Sequence, residues 1–135
     1  MSESAIQAAA QAAVAIAVAD AKDWSNNPAD IMPDNLPAFT VTVTRDGAIP
    51  AAMGSDLEEV QITIEVEYFA QFGRGDNGRA ITSAAGEAIR AALRSDATLN
   101  ALSDFTTGAN LEVELAQKKN RMGRATVTLS VEATF

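Results

Sequence analysis

The sequence contains neither cysteine nor histidine. Without cysteine there is no disulfide framework, no thiol nucleophile and no thiolate metal site. Without histidine the commonest general base and the commonest metal ligand are both missing. Serine–histidine and cysteine–histidine catalysis are excluded, and so is a histidine-ligated zinc site. A chain without cysteine suits any redox compartment. Basic residues are scarce, 10 Lys and Arg against 18 Asp and Glu, for a net charge of −8. That balance argues against a freestanding DNA binder, which carries a basic face. Long hydrophobic runs are also missing. The stretch Ala12–Ala19 (AAVAIAVA) is far shorter than the ~20 residues of a membrane span. It resembles the core of a signal peptide, but residues 1–11 hold no lysine or arginine, and a signal peptide needs a positive start. It reads as a buried, alanine-rich helix of a protein made in the cytoplasm.

What remains is the composition of one globular domain, residues 1–135, with 47% hydrophobic and 21% charged residues. A domain of this size buries about two-thirds of its unfolded surface and needs no metal or disulfide to fold. The 28 alanines imply close approach between elements. Charge is uneven: residues 1–60 hold nine acids and two bases, residues 61–135 nine acids and eight bases. A subunit with one acidic and one mixed side can stack directionally on a partner; simple solubility is the plainer reading.

Residues 3–21 read as a first helix, with Ile6, Ala10, Ala13 and Ala17 at helical spacing, extended by Val14, Val18 and Ala21. Breakers at Asn26-Asn27-Pro28, Pro33 and Pro37 make residues 23–37 a loop, with Trp24 as its anchor. Residues 38–45 (AFTVTVTR) alternate strictly and predict a half-buried strand. Asp46-Gly47 predicts a turn into a long loop through Pro50 and Gly54. Residues 57–70 (LEEVQITIEVEYFA) give the clearest strand. Val60, Ile62, Ile64, Val66 and Tyr68 face a core; Gln61, Thr63, Glu65 and Glu67 face water or a partner. A second helix spans 79–94, with Ile81, Ala85, Ala88, Ile89, Ala92 and Leu93 as its apolar stripe, and a short third one carries Leu99, Leu102 and Phe105 and closes at Gly108. Residues 111–116 and 125–135 alternate and pair across a turn holding Lys118, Lys119, Asn120, Arg121, Gly123 and Arg124. The expected fold is α+β: a two-layer sandwich with an antiparallel or mixed four-stranded sheet and helices on one face, in the order helix–strand–strand–helix–strand–strand.

Gly73-Arg74-Gly75-Asp76-Asn77-Gly78 matches G-x-G-x-x-G after a strand and before a helix. The strand before it is polar on one face, where a central parallel strand is apolar on both. The acid expected about twenty residues on is Asp96, which follows a helix rather than ending a second parallel strand. The segment reads as a flexible glycine loop, and its Arg-Gly-Asp tripeptide as a chance match. Glu65 and Glu67 share a strand face and repel unless a base lies opposite. That face is solvated, or it forms an intersubunit salt bridge with the Arg121/Arg124 region. The basic cluster Lys118, Lys119, Arg121, Arg124 has no interleaved aromatic for base stacking, which favours protein contact over nucleic acid. No catalytic, cofactor-binding or metal-binding residue emerges, and no enzyme activity or cofactor is expected.

Residues 31–43 (IMPDNLPAFTVTV), 60–69 (VQITIEVEYF), 94–105 (RSDATLNALSDF) and 124–135 (RATVTLSVEATF), taken with the element order, resemble the tail terminators of tailed bacteriophages. This is the family of phage lambda gpU, the minor tail protein U or tail completion family. The likeness spans nearly the whole chain. The alanine-rich first helix and the Gly73–Gly78 loop depart from it and leave the phage type, or a phage-derived particle, open. The resemblance implies a structural virion protein made late in the host cytoplasm. It implies a ring, hexameric in such proteins, at the head-proximal end of the tail tube. There it stops tube polymerisation and joins the tail to the head through a neck or head-completion protein. DNA would pass through the lumen without sequence-specific binding, and no membrane is involved. By analogy, partner contacts fall on three loops: Arg45, Asp46 and Glu58; Arg74, Asp76 and Arg79; and Lys118, Lys119, Arg121 and Arg124. The competing readings are a neck, connector or tail-tube subunit, and a monomeric adaptor domain.

Overall fold

The computed structural model describes residues 3–26, 36–50, 58–72, 77–102, 105–116 and 122–134. The elements are α1 (Glu3–Ala17), β1 (Lys22–Asp23), β2 (Ala38–Pro50), β3 (Glu58–Gln71), α2 (Gly78–Ser95), α3 (Ala97–Leu102), β4 (Phe105–Ala116) and β5 (Met122–Thr134). The strands form one mixed sheet in the order β1-β2-β3-β5-β4. Among the described residues only the β1–β2 pair is parallel.

The α+β class holds, and so do the four long strands. A fifth strand, β1, lies where the sequence predicts the end of the first helix and the start of the 23–37 loop. Two exposed residues carry no alternation to read. Backbone bonds recruit them: the Lys22 amide donates to the Pro37 carbonyl (3.2 Å) and the Trp24 amide to that of Phe39 (2.8 Å).

Strict period-2 alternation builds the core. On β3, Val60, Ile62, Ile64, Val66, Tyr68 and Ala70 are buried; on β5, Ala125, Val127, Leu129, Val131 and Ala133 are. These rows share one face because the register pairs Ile62 with Val131, Ile64 with Leu129 and Val66 with Val127. Ile6, Ala10, Ala13 and Val14 of α1 and Ile89 and Leu93 of α2 bury their stripes in the same cluster. Small residues on α1 let it lie close to the sheet, and Gln7 Nε2 donates to the Val41 carbonyl at 2.7 Å. Burial pushes the Tyr68 phenol above its usual value, and the negative charge of Asp20 adds to the effect.

Several boundaries differ from the sequence reading. The helix α1 stops at Ala17 rather than residue 21, although Val18 is still buried. Asp46-Gly47 is not a turn. Strand β2 continues to Pro50, and Asp46 is the extra residue of a bulge between Arg45 and Gly47, the ladder hydrogen bonds absorbing one unpaired residue. Phe105 and Gly108 belong to β4 rather than to a helix, with a second bulge between Thr106 and Gly108. The helix α3 is capped by Asp96, whose Oδ2 accepts the Leu99 amide at 2.9 Å. Gly123 and Arg124 lie in β5, paired with Leu115 and Glu114, and not in the connecting turn.

Candidate protein-contact surface

The alternation that builds the core also builds the opposite face of the sheet, which the two long helices leave uncovered. The register sets its rows. Glu112, Thr126, Glu67 and Thr40 lie across four strands; Glu114, Arg124 and Phe69 form the adjoining row, and Asn110, Thr128, Glu65 and Thr42 the next. Toward the other end come Thr63 and Ser130, then Gln61 and Glu132. Among the described residues this face carries seven acids: Asp46, Glu59, Glu65, Glu67, Glu112, Glu114 and Glu132. Two bases share it, Lys22 at the edge and Arg124. Much of the net negative charge of the chain is therefore on one side of one sheet.

Arg124 forms an ion pair with Glu114 across the β4–β5 ladder. Its charge also reaches Glu67. Glu67 is half-buried, and its carboxyl is held above the usual carboxylate range. Burial is the main cause and Arg124 opposes it; a side-chain hydrogen bond with Glu65 and the charges of Glu65 and Glu114 push it further up. A contact between Arg124 and this glutamate face thus exists within one chain, where the sequence reading allowed a salt bridge between subunits. Phe69, Glu114, Leu115, Met122, Gly123 and Arg124 line an open depression of about 300 Å³ at this end of the sheet.

The other residues singled out in the sequence are dispersed. Asp46, at the bulge, accepts a hydrogen bond from the Thr63 hydroxyl and so joins the acidic face. Arg45 precedes it, exposed on the strand. Glu58 pairs through its backbone with Pro50. Arg79 is exposed in the first turn of α2. Arg74, Asp76, Lys118, Lys119 and Arg121 lie outside the described residues. Glu112, Glu114 and Glu132 were not singled out from sequence. Their alternation within LEVELA and SVEATF is visible, but only strand order shows that they share one sheet face with Glu65 and Glu67.

The glycine motif has no dinucleotide-binding context. The strand before it, β3, is antiparallel to both neighbours, β2 and β5, so among the described residues β3 and α2 do not lead to a parallel neighbour as a βαβ crevice requires; Gly73–Asp76 of the motif lie outside them. Gly78 answers to packing instead: a β-carbon there would stand 2.6 Å from Phe72 Cε2. Asn77 caps α2, its Oδ1 accepting the Ala80 amide at 3.1 Å. Among the described residues no three acidic side chains gather as a metal site. No helix among them is long and apolar enough to cross a membrane.

No protein-family model matches the chain, and a search of curated proteins finds no significant match.

Proposed function

We propose that this chain is a structural subunit of a phage-like particle: a tail terminator that closes into a ring on the head-proximal end of a tail tube, stops its growth and offers the surface to which the head attaches. The observation that carries the reading is a two-sided subunit, with helices over one face of a four-long-stranded sheet and an acidic, threonine-rich face open over β3, β5 and β4 on the other, its β2 end buried at Ala38 and Thr40. A ring needs two different surfaces on each subunit, because one patch must meet another on its neighbour. The order of the two long helices and four long strands supports the same reading through the resemblance to the tail-terminator family. No enzymatic role is proposed, and the tube protein and a neck protein are the expected partners. An acidic lumen would repel passing DNA and keep the channel free of adhesion.

The test is the solution mass by light scattering across a concentration series, with electron micrographs of the same sample and of the protein mixed with tail tubes. Closed rings of uniform size, or protein bound only at tube ends, are the expected result. Open-ended tubes would instead identify a tube subunit. A monomer that ignores tube ends would end the terminator reading in favour of an adaptor domain.

A further inference from the structure

The second long helix carries the complement of the acidic sheet face. Among the charged residues of α2, Arg79, Arg90 and Arg94 outnumber Glu87. At 100° per residue the three arginines fall within about 60° of one another on one flank. That flank is on the β4 side, because Arg90 Nε reaches the Ala109 carbonyl of β4. Beside it α2 exposes Ala84, Ala88 and Ala91, small enough for a helix to lie flat on a pleated surface, with the larger Ile81 at their far side and Glu87 between them and the arginines. The helix cannot meet the acidic face of its own chain, since the sheet stands between them.

From this complementarity we infer that the outer sheet face of one copy receives the arginine flank of α2 from a second copy, so that the chain self-associates head to tail. The dimensions match. Arg79 to Arg94 spans about 22 Å along a helix, and Glu59 to Glu67 spans about 27 Å along a strand. Seven acids against two bases on the sheet meet three arginines against one glutamate on the helix. The contact is heterologous, because the two patches differ, so repetition gives a ring or a filament rather than a two-fold dimer. This inference rests on the ring reading above and names the surfaces that would close it.

Two double variants test it, both on exposed positions: Glu65→Lys with Glu112→Lys on the sheet, and Arg79→Glu with Arg94→Glu on the helix. Self-association is measured by sedimentation at low salt, with circular dichroism as the check on folding. Each double variant is expected to weaken association by roughly 100-fold. An equimolar mixture of the two is expected to recover it to within about tenfold, because each reversed patch then meets a reversed partner. For the unaltered protein, raising NaCl from 0.05 to 0.5 M should weaken association by at least about tenfold. The inference is overturned if the unaltered protein assembles and neither variant nor salt alters it. A protein that stays monomeric alone yet binds tube ends would also overturn it, while leaving the terminator reading intact. Rings that form and respond to both reversals but never bind tube ends would keep the contact and remove the terminator role.

Discussion

Gly123 of β5 and Thr82 of α2 approach so closely that no β-carbon fits between them: one placed on Gly123 would stand 3.0 Å from Thr82 Cβ and nearer still to its hydroxyl oxygen. Thr82 is fully buried, and its hydroxyl donates to the Gly78 carbonyl at 2.7 Å. Gly123→Ala is expected to destabilise the fold by about 1–3 kcal/mol in urea titrations, through overpacking. Thr82→Ala in the same chain should recover part of that loss, with a coupling of at least about 0.5 kcal/mol. Strict additivity would mean that the two side chains do not compete for one space.

Two isoleucines of α1 separate core from surface. Ile6 is 1% exposed and Ile16 is 81% exposed. Ile6→Ala should cost about 2–5 kcal/mol, from lost burial and the cavity left behind. Ile16→Gln should change the stability of the isolated chain by no more than about 0.5 kcal/mol. Thermal melts of both variants decide it; a large loss from Ile16→Gln would place that side chain in an interface.

The helix caps are separable from the core. Asn77 and Asp96 each accept an amide at the start of a helix, at 3.1 and 2.9 Å. Asn77→Ala and Asp96→Ala should each cost about 1 kcal/mol, and their effects should add because the caps are remote from one another and share no partner. Loss of all helical signal in either variant would contradict a purely local role.

Glu67 sets a pH dependence of known sign. Its folded carboxyl holds a proton more tightly than the unfolded chain does, chiefly because of burial. Its penalty is therefore fully present above the raised folded value and disappears as pH falls below its ordinary 4.5. Glu67→Gln should be the more stable protein at pH 7, with the difference shrinking toward zero near pH 4. Arg124 opposes the shift, so Arg124→Ala should move the Glu67 midpoint further up in an NMR titration. A downward move would show that Arg124 does not face Glu67.

The long strands were legible because period-2 alternation reports burial directly. Residues 57–70 alternate through to Tyr68, and β3 occupies 58–71. Amphipathic spacing likewise placed α2 within one residue at each end. Bulges were not legible. Asp46-Gly47 has turn chemistry, yet the hydrogen-bonded ladder with β3 carries the strand through it. At Gly108 the ladder with β5 decides in the same way.

The contact surface was half legible. Glu65 and Glu67 show their shared face in sequence, because neighbours two apart on a strand point the same way. That Arg124 is within reach of Glu67, and that Glu112, Glu114 and Glu132 join the same face, depends on the strand order β3-β5-β4. Composition and local periodicity were enough for the chemistry excluded, for the centres of the two long helices and four long strands and for the inward rows of β3 and β5; on α2 the same periodicity put Ile81 and Ala88 inward, where both are exposed. The tertiary structure alone decided that acids from four strands gather on one uncovered face while the arginines of α2 lie beyond the sheet, because strand pairing and register are set by contacts between segments far apart in the chain.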